Sequence, residues 1–339
     1  MKPLVSIVIP VYNAGIFLED CINSVIGQTL QEIEVICVDD CSTDGSLAKL
    51  ESYRQRDGRI RVIRKPVNEG PSAARNLGME AASGKYLLFV DSDDFIDKEL
   101  CQKAYSHAEE NDAGMVIFDC VTTLKNAGPE LNAKPESRLA RLNPSDKNVL
   151  LGLGAFAWSK MIRTDRIISL GVRFPEGIYG PEDALVHWRL ILEMDDVVLL
   201  PERLYYYRQH ASSITQGRGW RLTDRILVYD QVREFLLSRS LYSDYREPFL
   251  EQQLGSFYGV YDRVDKPLKP DVMAMIQQRM TEEHWRFVAG KRLPRPVRDF
   301  LLSLQGKTAA KLRRSIWLLA RWCYRLLRSA GQPSRSMPS

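Results

Sequence analysis

Several features are missing from this 339-residue chain. No run reaches the roughly twenty apolar residues that span a bilayer, which excludes a membrane-crossing helix. No GxGxxG follows the first apolar strand and no GxxxxGK[ST] occurs, which disfavours a dinucleotide enzyme and a P-loop ATPase. The six cysteines, Cys21, Cys37, Cys41, Cys101, Cys120 and Cys323, include no CxxC pair. They argue against a structural zinc site and read as reduced, mostly packed thiols of a cytosolic protein. A strand begins within a few residues of the start, which reads as no signal peptide. Net positive charge is confined to one end. Residues 291–339 hold twelve Lys or Arg and a single acid, Asp299, so that segment is near +11 and the first 290 residues about −7 within a total of +4. An acidic body does not suit nucleic acid, whereas a basic tail suits tethering.

What is present is an α/β pattern. The length allows one sizeable core plus a smaller module or helical extension. Apolar strands are expected at 5–9, 34–38, 60–63 and 86–90. Helices are expected between them over about 16–29, 46–56 and 72–82, with Ile16, Leu18, Ile22, Val25 and Ile26 on the inner face of the first. Strands alternating with single helices predict right-handed βαβ units and a parallel sheet. The loops bearing Asp39 and Asp40, Asn68 and Arg75, and Asp91-Ser92-Asp93-Asp94 all follow strands at their carboxyl ends. They should converge on one crevice, where open α/β sheets bind ligands. Carboxylates there suit a hard divalent cation that can hold a diphosphate, which points to an enzyme handling an activated nucleotide.

Four ordered segments carry a resemblance: Val5 to Asn13, Val38-Asp39-Asp40-Cys41-Ser42-Thr43-Asp44-Gly45-Ser46, Asn68-Glu69-Gly70-Pro71-Ser72-Ala73-Ala74-Arg75-Asn76, and Asp91-Ser92-Asp93-Asp94. With Glu182-Asp183 and Leu204-Tyr205-Tyr206-Tyr207-Arg208 further on, the chain resembles the inverting glycosyltransferases of family 2, including the bacterial enzymes that build capsule, O-antigen and other cell-surface polysaccharide. The resemblance covers about residues 4–120 and 155–215. It departs at Cys41, where glycine is common in the family.

The resemblance implies a GT-A fold, a Rossmann-like, mostly parallel sheet with flanking helices, extended here by C-terminal helices. It implies that Asp91 and Asp93 act as a DxD pair holding Mg²⁺ or Mn²⁺, with Asp93 the direct ligand and Asp91 nearer the ribose; the same acids also suit a helix N-cap. Asp40 is expected to accept the uracil imide N–H, with Asp39 in support. Pro10 and Tyr12 are expected to line the base pocket, and Asn68 and Ser92 to complete the donor site. Arg75 is expected to reach the nucleotide or to organise the aspartates as a bidentate partner. Asp183 is implied as the general base, kept charged by the N–H groups of the helix it starts, with Glu182 binding or orienting the acceptor. Trp158 is an acceptor-stacking candidate or a core anchor, and His210 a diphosphate or metal contact or a loop hydrogen-bonder.

The implied reaction moves a hexose or N-acetylhexosamine from a UDP-sugar donor to a hydroxyl of a glycan or lipid-linked acceptor. A sugar nucleotidyltransferase is the rival, but it needs a Gly-rich basic loop after the first strand, and Pro10-Val11-Tyr12-Asn13 is not one. A catalytically inactive glycan-binding scaffold is the other. The expected organisation is a catalytic domain over 1–215 (donor half 1–120, acceptor half 121–215), a helical region over 216–290 and a basic amphipathic tail over 291–339. Asn126 to Asn148 reads as a flexible insertion. In the tail, Leu312, Ile316, Leu319, Trp322 and Leu326 fall opposite Arg314, Arg321, Arg325 and Arg328 on a helical wheel, the pattern of an interfacial helix on an anionic leaflet or of a packed terminal helix. The expected location is cytoplasmic and peripheral to the inner membrane, with self-association through the helical region open.

Overall fold

The computed structural model describes residues 2–124, 137–178, 180–210, 218–290 and 293–304. The tail read as an interfacial helix, with Cys323, lies outside them. By internal contacts the chain divides into Met1–Gln253 and Leu254–Ser339.

The first unit is built on one sheet. Its opening elements are β1 (Val5–Val11), α1 (Leu18–Ile26), β2 (Ile33–Asp39), α2 (Ser46–Arg56), β3 (Ile60–Arg64), α3 (Pro71–Ala81) and β4 (Tyr86–Phe89). β1 pairs in parallel with β2 and β4, and β2 with β3. β1 and β4 are buried along nearly their whole length, as expected of parallel strands covered on both faces. α3 lies so close to β1 that a Cβ on Gly78 would clash with a methyl of Val8. Ile16, expected on the inner face of the first helix, precedes α1 and is 70% exposed.

The next elements are β5 (Phe95–Ile96), α4 (Leu100–Glu110), β6 (Met115–Leu124), α5 (Lys147–Leu151), β7 (Lys160–Arg163), α6 (Thr164–Ser169), α7 (Asp183–Glu193) and β8 (Val197–Gln209). The full order is β3-β2-β1-β4-β7-β6-β8-β5. β7 runs antiparallel to β4 and β6, β5 antiparallel to β8, and β8 parallel to β6. The sheet is therefore mixed, with the parallel, nucleotide-type half at one side. The stretch read as a flexible insertion has order within its described part. A 3-10 turn covers Arg138–Arg141, Leu139 is buried, and Asp146 caps α5 by accepting N–H bonds from Asn148 and Val149. Polar spacing hid the single buried leucine and the cap.

α8 (Asp224–Ser238) packs on α7, and α9 (Tyr242–Arg263) follows. The second unit contains α10 (Lys269–Gln277), α11 (Glu282–Gly290) and α12 (Arg295–Ser303), with Phe300 stacked on Tyr261 at 4.5 Å. No helix among the described residues is long and apolar enough to cross a membrane.

Candidate active site

The donor-side acids sit where β2 and β4 end. Asp40 is buried and fully engaged: one carboxylate oxygen accepts from Lys65 Nζ (2.7 Å) and the Glu69 N–H (3.1 Å), the other from the Gly70 N–H (2.7 Å). Gly70 reaches it with φ +90°, a backbone region that side chains rarely adopt. Asp39, also buried, accepts among the described residues from the Ser42 N–H, at 3.4 Å. Asp40, the acid expected at the base, is thus held by its own loop, while Asp39, expected in support, has longer contacts. Cys41 adopts φ +62°. A left-handed residue is needed here, which gives a physical reason for glycine in relatives. Asn68 is exposed and accepts from the Gly70 N–H at 3.2 Å. Pro10 is half-buried and Tyr12 is 49% exposed at the end of β1.

Of the four residues Asp91-Ser92-Asp93-Asp94 beyond β4, Asp94 is structural. It is buried, accepting from Tyr205 Oη (2.7 Å) and the Arg208 N–H (2.7 Å). Burial, then Asp93 and Asp91, push its carboxyl well above the usual range. Tyr205 Oη in turn accepts the Asp91 N–H at 3.0 Å, so β8 fixes the loop. Asp91, Ser92 and Asp93 are half-buried. Asp93 meets His210 Nε2 at 2.8 Å, and the His210 ring lies against Phe17 at 4.4 Å. Burial and the neighbouring Asp91 raise the Asp93 pKa, with His210 opposing.

Arg75 joins the two halves of the sequence. It is 4% exposed. Nη2 donates to Asp91 Oδ1 (2.8 Å), and Nη1 donates to Glu182 Oε1 (2.8 Å) and lies 3.5 Å from Asp183 Oδ1. Of its two expected roles, this is the organising one. Burial alone would weaken its charge, but Asp183, Asp91 and Glu182 together raise its pKa. A neighbouring residue supports the same arrangement. Asn76 donates to the Phe174 carbonyl (2.9 Å) and Glu176 Oε1 (2.9 Å) and accepts the Phe174 N–H (2.9 Å), pinning the loop before α7 to α3.

Asp183 opens α7, yet its hydrogen bonds come from outside that helix. Oδ2 accepts the Ala157 N–H at 3.0 Å and Oδ1 faces Arg75. Burial raises its pKa, with Arg75 the largest opposing influence. Arg75 and the remote Ala157 peptide N–H thus both favour its charged form. Glu182 accepts from Arg75 and from the Gly180 N–H (3.1 Å), and burial plus Asp183 push it up to about 7.

Trp158 is 3% exposed and stacks between Phe156 (4.5 Å) and Tyr205 (4.3 Å). The outer ring of this stack, Phe156, is 44% exposed and lines a cavity with Asp183. Sequence reasoning missed Phe156, Asn76 and Lys160, which is buried beside the same cavity.

Among the described residues, no group of three or more His, Cys, Asp or Glu side chains is gathered into a preformed metal site. Asp93 with His210 still makes a partial oxygen-and-nitrogen donor set. Burial first and the nearby Asp91 second raise the Asp93 carboxyl pKa, and a bound cation would favour the charged form. The residues fit a divalent ion whose remaining ligands come from elsewhere.

Residues 6–163 match the family model described as Glycosyl transferase family 2. The chain is 34% identical over 227 residues to the uncharacterized glycosyltransferase EpsJ of Bacillus subtilis (strain 168), an alignment covering 64% of each protein. It is 29% identical over 262 residues to the poly(ribitol-phosphate) beta-N-acetylglucosaminyltransferase TarS of Staphylococcus aureus (strain MW2), covering 74% of this chain and 43% of that one. The chain therefore spans less than two thirds of either relative's length. The crystal structure of S. aureus TarS 1-349 in complex with UDP-GlcNAc aligns with TM-score 0.57 at 22% identity, covering 80% of this chain and 86% of that one, which shows a shared fold. Residues 6–163, which contribute Arg75, Asp91 and Asp93 to the cluster described above, are a glycosyl transferase family 2 domain.

Proposed function

We propose that this protein is an inverting glycosyltransferase that moves a hexose or N-acetylhexosamine from a UDP-sugar to a hydroxyl of a glycan or lipid-linked acceptor. The observation that carries the reading is the single guanidinium of Arg75, which touches Asp91 on the donor side and Glu182 and Asp183 on the acceptor side. Acids more than ninety residues apart in sequence thereby share one site. The complex of TarS with UDP-GlcNAc supports a UDP-sugar as donor.

On this reading Asp39, with its longer contacts, accepts the base N–H, while Asp40 holds the loop around it. Pro10 and Tyr12 border the base, and Asn68 and Ser92 lie on the donor rim. Asp93 and His210 would hold Mg²⁺ or Mn²⁺; Asp91, already bound by Arg75, is the weaker third candidate. The cation, when bound, supplies positive charge that makes the nucleoside diphosphate a better leaving group. Asp183 takes the proton from the acceptor hydroxyl. The oxygen forms its bond to the anomeric carbon as the bond from that carbon to the diphosphate breaks, so UDP leaves and the configuration inverts. Oδ1 is the reacting oxygen, because Oδ2 is held by the Ala157 N–H while Oδ1 has only a 3.5 Å contact. Glu182 holds Arg75 in place. The basic tail, on the same reading, brings the enzyme to an anionic cytoplasmic membrane surface, where a lipid-linked acceptor would be found.

Two outcomes test this. Asp93→Ala should weaken manganese-dependent binding of UDP by about tenfold or more, read by calorimetry with and without the metal, consistent with the loss of one charge-assisted ligand. Equal affinity in variant and parent would remove the cation assignment. Phe156→Ala should raise the acceptor KM several-fold while leaving UDP affinity unchanged, because the exposed outer ring, not buried Trp158, can pack on a sugar face. An unchanged KM would return the whole stack to a core role.

A further inference from the structure

Lys160 is a charged side chain in an unusual place. It begins β7, is 2% exposed, and its ammonium donates to the Phe156 carbonyl oxygen (2.6 Å) and Ser159 Oγ (3.2 Å). The Phe156 carbonyl and the Ala157 N–H belong to one peptide group. That N–H is the donor to Asp183 Oδ2 at 3.0 Å. One amide therefore stands between a buried cation and a buried carboxylate, oxygen end to the cation and N–H end to the anion. Both contacts polarise it in the same sense: the ammonium draws electron density toward the oxygen, which strengthens the N–H as a donor. Filling space does not explain a buried lysine, since an apolar side chain of similar volume would do so at lower cost.

We propose that Lys160 is a positioning residue that acts through the Phe156–Ala157 peptide to fix Oδ2 of Asp183 and hold its carboxylate anionic, leaving Oδ1 toward the acceptor hydroxyl. This rests on the reading of Asp183 as the base. The charged and titratable neighbours are few. From α7, His187 lines the same cavity as Lys160 and Asp183. Asp119 and Cys120 of β6, with Arg138, line a second cavity that Lys160 and His187 also border. Arg75, Glu182 and Asp91 surround Asp183. Burial lowers the Lys160 pKa to about 8, with Asp183 opposing. The ammonium is thus present below pH 8 and lost as pH rises through it. Lys160 in turn lowers the Asp183 pKa, so removing it should move the acid limb of activity upward.

The test uses the full-length protein with ¹⁵N-labelled alanine and needs no substrate. In the parent, the Ala157 amide proton should move upfield as pH rises through about 8. Lys160→Met should abolish that step, and Lys160→Arg should displace it beyond pH 9.5 while keeping a downfield resonance. A parent Ala157 resonance that does not respond between pH 7 and 9.5 overturns the proposal, even where neither variant folds. In UDP release from UDP-GlcNAc with water as acceptor, Lys160→Met should lower kcat about 10- to 100-fold at unchanged UDP affinity, with partial rescue by Lys160→Arg. If Asp183→Asn turns over normally while Ala157 still titrates, the base reading fails and the coupling stands. If Asp183→Asn is inactive while Lys160→Met matches the parent in rate and pH profile, the base reading stands and the positioning role fails.

Discussion

Replacing Arg75 with methionine is expected to cost about 3–5 kcal/mol of stability near pH 8, the usual consequence of leaving buried carboxylates without their counter-charge, and to remove detectable transfer. Three acids depend on this one cation. Glu182 already sits up to about 7 and Asp183 is raised by burial even with Arg75 in place. Without it both would rise further. The pH dependence follows from the sign. An acid whose folded pKa lies above its unfolded value binds a proton more readily when folded. It is therefore best tolerated at low pH and destabilises progressively as pH rises toward the folded pKa. The stability gap between Arg75→Met and the parent should accordingly be smaller at pH 5 than at pH 8. Urea midpoints at both pH values measure this. A gap under about 1 kcal/mol, the range of an exposed ion pair, or one that does not change with pH, would show that Arg75 is not the electrostatic centre of the cluster. Arg75→Lys should recover only part of the loss, because a point charge cannot span Asp91 and Glu182 as the guanidinium fork does.

The parallel half of the fold was legible because its strands are short apolar runs ending abruptly in acids, and period and punctuation suffice to find them. The donor-side loops were legible for the same reason. What escaped depends on contacts between distant segments. Nothing local in Val38-Asp39-Asp40 says that Lys65 and the Gly70 N–H will occupy Asp40 and leave Asp39. Asp183 was visible as an acid at a helix start, but the donors that hold it are Ala157 and Arg75, 26 and 108 residues away. Lys160 follows Trp158-Ser159 at the head of a short strand, where a lysine ordinarily reads as surface. Only β7 running between β4 and β6 makes it interior. Trp158 drew attention as the larger aromatic, yet the structure stacks it on Tyr205 and turns Phe156 outward. Patterns in sequence located the charges; which charges were already satisfied was settled by partners no pattern contains.

Asp183→Asn should lower turnover by about 10²–10⁴-fold, the range supplied by a positioned general base, while leaving UDP affinity within twofold. The amide is nearly isosteric and keeps an oxygen for the Ala157 N–H, so the fold should survive and the loss should be chemical. The parent's rate should rise with pH, because the base works only when ionised and burial places its titration above the ordinary aspartate range. Glu182 at about 7 shares the guanidinium, so the two acids titrate as a pair and the acid limb belongs to both. In Asp183→Asn that limb should flatten, since no ionisation of a base remains to control the rate. Glu182→Gln should behave differently. Removing a neighbouring negative charge lowers the Asp183 pKa, so the acid limb should move down even as the poorer anchoring of Arg75 reduces the maximum rate. A limb that flattens in one substitution and shifts down in its neighbour would separate the proton acceptor from the residue that holds its partner. A purified Asp183→Asn variant turning over at the parent's rate would assign the proton to another group.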